Sequence, residues 1–399
     1  MTTEPIALRK LPYDHVALVL QGGGALGSYQ AGVFEGLAEA AILPSWVAGI
    51  SIGAINSALI AGNAPERRVE RLREFWQTVC TPAFGAPSAE WLQTTAEQVG
   101  GPLRLAFNAM EASRAMLEGQ HGFFVPRLTP PWWPHRPFGE MSWYDVSPLK
   151  STLERLVDFD RINAGEMRVT VSAVNVRTGN FERFDNTRGA WKGRLRAEHF
   201  MASGALPPGF PAVEIDGESY WDGGLVSNTP LAEVLAETPR LDTLAFQVDL
   251  WSAQGPLPAN LYDIEERQKD IRFSSRTRAV TDMLAREQKL RSLLRGVLAK
   301  VPPEAREGCE WCEEAAAEAC DRKLNIVQLI YRDKEWDGLS KDYEFGPLTM
   351  REHWASGLDD VRRTLAHADW LNPPTPKAAV VTHDVHRDNG AGASRRHRR

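Results

Sequence analysis

Three short segments carry residue types that could together perform acyl transfer. Gly49-Ile50-Ser51-Ile52-Gly53 is a G-x-S-x-G pattern, in which a serine on a sharp strand-to-helix turn exposes its hydroxyl while the flanking glycines let strand and helix pass closely. Gly22-Gly23-Gly24-Ala25-Leu26-Gly27 is a glycine-rich loop whose backbone N–H groups can converge on an anion, helped by the positive end of the helix that follows. Asp222-Gly223-Gly224 places a carboxylate on a tight turn. A serine nucleophile needs a base, and the tetrahedral intermediate of acyl transfer needs an oxyanion hole. A free carboxylate titrates near about 4 and is a weak base, so a partly buried site that raises its pKa would help it.

Each segment follows an expected strand. His15 to Leu20 is a short apolar run that reads as a buried parallel strand, and Ser28 to Ala41 has helical periodicity. Trp46-Val47-Ala48 and the apolar stretch from Ile52 to Ala61 repeat the pattern. Strand–helix–strand–helix at this spacing is a βαβ unit. Val213 to Trp221 reads as a hairpin because Asp216-Gly217 suits a type I′ turn. Further strands are expected at Met167–Val176, Phe181–Phe184, Leu241–Leu250 and Asn325–Tyr331, with helices at Pro148–Val157, Pro230–Ala236 and Arg351–Ala368. The expected fold is a three-layer α/β/α sandwich with a mostly parallel central sheet.

The glycine loop also fits G-x-G-x-x-G, but a dinucleotide site needs an acidic residue at the end of the second strand. That strand ends Ala48-Gly49-Ile50-Ser51. A Ser-Asp-His triad needs a histidine in a strand-end loop after Asp222. His353 and His367 fall in one charged helix, and His383, His386 and His397 in the tail. A Ser51–Asp222 dyad is therefore the better reading.

In order and context these motifs resemble the patatin-like phospholipase family over Val16 to about Leu235. The run Ala202-Ser203-Gly204-Ala205-Leu206-Pro207-Pro208 through Val213 is similar to the family's small-residue and proline stretch. The resemblance implies Ser51 as nucleophile, Asp222 as its base, and Gly22, Gly23, Gly24 and Gly27 as the oxyanion loop. Gly49, Gly53, Gly223 and Gly224 would support the turns. Leu26 stands where many members carry Arg or Lys. The implied activity is serine-dependent hydrolysis of lipid acyl esters, without a cofactor or metal. A thioesterase or short-chain carboxylesterase on the same site, and a non-catalytic lipid-binding protein, are the alternatives.

The remaining sequence sets bounds. The chain has 399 residues, 43% of them hydrophobic and 25% charged, enough for a real core. Its net charge of −6 gives no basic excess for nucleic acid. No secretory signal or membrane span is read, so the expectation is a cytoplasmic protein with reduced thiols that could touch a membrane peripherally. Cys309-x-x-Cys312 and Cys320 supply three thiols where structural zinc takes four ligands. The expected organisation is a catalytic domain at 15–236 with an insertion at about 81–142. A mostly helical extension with a late strand follows at 237–372, then a disordered basic tail at 373–399. Phe123-Phe124 and Trp132-Trp133 could form a membrane-facing lip or could pack over the insertion. The charged run from Arg267 to Arg295 reads as a solvated helix face.

Overall fold

The structure, a computed structural model, describes residues 10–81, 101–129, 136–274, 277–334, 336–375 and 380–386. In chain order its strands are β1 (His15–Leu20), β2 (Trp46–Gly49), β3 (Val125–Pro126), β4 (Tyr144–Asp145), β5 (Arg168–Asn175), β6 (Phe181–Asp185), β7 (Val213–Ile215), β8 (Glu218–Asp222), β9 (Thr243–Asp249), β10 (Leu324–Ile330) and β11 (Val380–Asp384). Helices α1 (Gly27–Glu39), α2 (Ile52–Ala61) and α3 (Arg68–Val79) follow the first two strands. The central sheet is nine-stranded, in the order β11-β10-β9-β1-β2-β5-β8-β7, with β6 also paired to β5. Pairing is parallel from β11 across to β5, and antiparallel where β5 meets β6 and β8 and where β8 meets β7.

The period-two alternation of β1 builds the layers. Leu18 and Leu20 join α1, α2 and α3 in one apolar cluster. Ala17 and Val19 join the opposite cluster, with Leu231, Val234 and Leu235 of one helix and Leu284 of another. Helices thus cover both faces of a mostly parallel sheet, as expected. The hairpin β7–β8 turns at Asp216 (φ 50°) and Gly217 (φ 84°), the two positive dihedrals of a type I′ turn.

The structure adds to the sequence reading in two regions and departs from it in the tail. Residues 237–372 are joined to the rest through the sheet itself: β9 lies directly against β1 and β10 against β9. The helix Pro347–Leu365 also packs on α1, where a Cβ on Gly32 would strike the Trp354 carbonyl and one on Gly357 the Tyr29 carbonyl. Within the tail expected to be disordered, Val380–Asp384 forms β11, pairing parallel with β10. The expected insertion at 81–142 contributes the helix Gly101–Glu118 and the short β3–β4 ladder, which stands apart from the central sheet.

Candidate active site

The glycine loop and the serine turn leave the carboxyl ends of neighbouring strands. β1 and β2 pair in register through Leu20 and Gly49, so Gly22 and Ser51 emerge side by side. A Cβ on Gly22 would lie 3.1 Å from Ser51 Cβ. Ser51 has φ 55° and ψ −123°, a conformation that costs a non-glycine residue about 1–3 kcal/mol. The turn is held by the Ser51 N–H, which donates to the Ser203 carbonyl at 3.1 Å and to Ser203 Oγ at 3.0 Å. Side chains are excluded on both flanks: a Cβ on Gly49 would strike the Gly53 carbonyl, and one on Gly53 the Leu20 carbonyl.

Asp222 reaches the same end of the sheet by a different route. β8 runs antiparallel to β5 and pairs only with its last three residues, Ala173 to Asn175. It therefore stops at Asp222, close to where β2 ends. The chain turns at once because a Cβ on Gly223 would press on the Ser172 carbonyl at 2.5 Å. Asp222 is 3% exposed. Its Oδ1 accepts from the Gly224 N–H at 2.6 Å, and the Ser51 side chain is its other hydrogen-bond partner. Burial pushes its carboxyl up to about 7, against the smaller lowering effects of the Gly224 N–H and Ser51.

The four loop glycines divide in two. Gly22 donates its N–H to the Asn228 carbonyl at 3.2 Å, and Gly27 donates to the Gly24 carbonyl. Gly27 instead serves packing, since a Cβ there would strike Ile52 and approach Trp76 within 2.9 Å. The N–H groups of Gly23 and Gly24 have no acceptor among the described residues. Leu26 is fully buried and brings no charge.

Ser51, Asp222 and Gly22–Gly24 line one cavity of about 450 Å³. Ile55, Leu149, Met201 and Phe210 make its apolar wall, together with Phe123, Phe124 and Phe345. Phe123 and Phe124 are buried in an aromatic cluster, with Phe123 5.8 Å from Phe345 and Phe124 4.8 Å from Tyr144 between ring centroids. They face the cavity and its aromatic neighbours rather than solvent; Trp132 and Trp133 lie outside the described residues. No histidine among the described residues lines the cavity. His353 is buried in its helix, 3.6 Å from Asp337. Among the described residues no cluster of three or more His, Cys, Asp or Glu could hold a metal ion, and no helix is long and apolar enough to cross a membrane.

Several residues that fix the loop were not singled out from the sequence. Gln21, fully buried, accepts from the N–H groups of Leu250 and Trp251 and donates to Thr229 and the Phe273 carbonyl. Asn228 Nδ2 and Trp251 Nε1 both donate to the Gly22 carbonyl, at 3.1 and 2.9 Å. The Asp342 carbonyl accepts from the Ala25 N–H at 2.8 Å. Beside it, the side chain of Lys341 is 1% exposed and binds Asp270 Oδ1 at 2.7 Å and Asp333 Oδ2 at 2.9 Å. Burial alone would lower its pKa, but Asp333 and Asp270 hold it above the usual lysine range. A buried amide next to a glycine loop, as at Gln21, is the one signal a sequence could offer for this set.

An exposed-hydroxyl turn, a buried carboxylate and two open N–H groups around an apolar cavity are the parts of an ester hydrolase. A family model described as patatin-like phospholipase matches residues 18–235, and a second, described as patatin phospholipase, matches residues 271–377. The chain belongs to the patatin-like phospholipase family, hydrolases that act on ester bonds, and carries a C-terminal extension. Among solved structures it is similar to VipD from Legionella pneumophila, at 15% identity and a TM-score of 0.37, over 92% of this chain and 72% of that one. It is also similar to human GIVD cytosolic phospholipase A2, at 15% identity and a TM-score of 0.30, over 58% of this chain and 42% of that one. A search of curated proteins gave no match.

Proposed function

We propose that the protein hydrolyses lipid acyl esters with Ser51 as nucleophile and Asp222 as the base. The observation that carries this reading is that Ser51, on its strained turn, and the buried Asp222 share one apolar cavity with no histidine among its described lining. Ser51 Oγ attacks the ester carbonyl and its proton passes to Asp222. The N–H groups of Gly23 and Gly24 stabilise the oxyanion. The alcohol leaves with the proton from Asp222, and water, deprotonated by the same carboxylate, then attacks the acyl-enzyme; the Ser51 Oγ–acyl bond breaks, the fatty acid leaves, and Asp222 returns the proton to Ser51 Oγ. A base with a pKa near 7 suits this work at neutral pH better than an ordinary carboxylate. The apolar wall favours a lipid chain over a short acyl group, because each buried CH₂ contributes about 0.8 kcal/mol.

The protein would meet its substrate at a lipid surface through the exposed apolar residues beside the cavity. Met116 and Leu206 line it and are 52% and 38% exposed. Leu117, next to Met116 in the chain, and Trp143, whose backbone N–H donates to the Pro208 carbonyl, are exposed as well. A fluorophosphonate should label Ser51 of the wild-type protein at one equivalent. Ser51→Ala should remain folded, take no label, and lose lipid ester hydrolysis by about 10⁴-fold or more. Wild-type turnover in that variant would overturn the assignment.

A further inference from the structure

Cys309-x-x-Cys312 has no part in the ester chemistry, and the structure separates it from the third thiol of its region. Cys309 stands immediately before the helix Glu310–Glu318, and Cys312 lies in its first turn. Cys320 lies beyond the other end of that helix, about 14 Å away along its axis, where its Sγ accepts from the Arg322 N–H at 3.4 Å. We infer that Cys309 and Cys312 form a redox-active dithiol, a modification site that exchanges with a low-molecular-weight disulfide and closes to an intramolecular disulfide.

The backbone already holds the two residues at bridging range. The Cys312 N–H donates to the Cys309 carbonyl at 2.9 Å, so they bracket one turn, whose first and fourth Cα atoms lie within about 7 Å. A disulfide spans Cα separations of about 4.4–6.8 Å, so closure asks for side-chain rotation and little backbone movement. The two thiols are hydrogen-bonded to each other, and both are only half-buried, so a small disulfide can reach them. Their roles differ. The Cys312 thiol, helped by the N–H groups of Cys312 and Trp311, holds the Cys309 thiol below its usual range, against the Glu313 carboxylate. The same contact pushes the Cys312 thiol up. Cys309 is thus the attacking sulfur and Cys312 the resolving one. Cys80 is built oppositely, since burial pushes its thiol well up.

The exchange runs in two steps. The Cys309 thiolate attacks one sulfur of R–S–S–R, that S–S bond breaks, and the first R–S⁻ takes up a proton equivalent to the one Cys309 released. Cys312 then loses its proton and attacks the Cys309 sulfur; the mixed disulfide breaks and the second R–S⁻ is protonated. Two protein thiols are oxidised by two electrons, and one small disulfide is reduced to two thiols.

Five exposed acids, Glu304, Glu307, Glu310, Glu313 and Glu314, flank the pair, so the probe is cationic cystamine. The reduced full-length protein is treated with cystamine at neutral pH, quenched in acid and mapped by mass spectrometry. The wild type should yield a peptide linked through Cys309 and Cys312, with no lasting cysteamine adduct on either, and dithiothreitol should reverse the link fully. Cys320 should react at least about tenfold more slowly. Cys312→Ser should stop at a stable cysteamine adduct on Cys309. In Cys309→Ser, Cys312 should react about tenfold more slowly than Cys309 does in Cys312→Ser. Two thiols still free after treatment, a lasting adduct in the wild type, or equal rates in the two single variants overturns the dithiol. Ser51 takes no part in this test, so its failure leaves the hydrolase reading untouched.

Discussion

Asp222 and Asp270 are both buried acids near the glycine loop, and their surroundings are opposite. Asp270 faces Lys341 at 2.7 Å, with Asp333 completing the cluster. Among the described residues Asp222 has no cation: a backbone N–H and a serine are its partners. Burial is the shared cost, and only one site offsets it with a counter-charge. The paired site makes a scaffold, because Lys341 ties the helix Leu261–Phe273 to the segment whose Asp342 carbonyl holds Ala25. The unpaired site makes a base, because a carboxyl that is costly to ionise accepts a proton readily near neutrality.

The contrast breaks most visibly at Asp222. Asp222→Asn should reduce kcat by roughly 10³- to 10⁴-fold, since an amide cannot accept the Ser51 proton. Its stability should change in the other direction. A folded-state value near 7, above the ordinary 3.8, means that the neutral acid is the favoured folded form. That contribution is fully present below about pH 4 and is lost as pH rises towards 7. Thermal unfolding of Asp222→Asn should therefore occur at higher temperature than wild type at about pH 8, by several degrees, and at nearly the wild-type temperature at about pH 4. A lower unfolding temperature at both pH values would contradict a buried, uncompensated carboxyl.

At the paired site the signs reverse. Lys341→Met leaves Asp333 without this ion pair and Asp270 with only Arg267 at 3.8 Å, and should destabilise the fold by about 3 kcal/mol, read from urea unfolding. Adding Asp270→Asn to Lys341→Met should recover part of that loss. A Lys341→Met protein with wild-type stability would show that the cluster is not a scaffold.

The two sites also differed in how far they could be read from sequence. Gly22–Gly24, Ser51 and Asp222 were legible because each motif is local, a strand followed at once by a glycine turn. The layers were legible for the same reason, from the alternation in β1 and the periodicity of α1. The Lys341 cluster, Asn228 and Trp251 were not, because their partners lie far away in the chain: Trp251 binds Gly22, and Asp342 binds Ala25. Whether Phe123 and Phe124 face lipid or core depends on Phe210 and Phe345, which no local pattern can reveal. β11 was missed because Pro, Gly and Arg around it outweighed the β-branched run Val380-Val381-Thr382.

The central claim is that Ser51 is activated by a carboxyl whose pKa burial has raised, and the pH dependence of Ser51 labelling tests it most directly. The rate of fluorophosphonate attachment, followed by mass spectrometry from about pH 5 to about pH 9, should rise as one proton is lost with a midpoint near 7. In Asp222→Asn it should be slow and flat across the range. A wild-type rate that is flat from about pH 5 upward, or a midpoint near 7 that survives in Asp222→Asn, would contradict the assignment of Asp222 as the base.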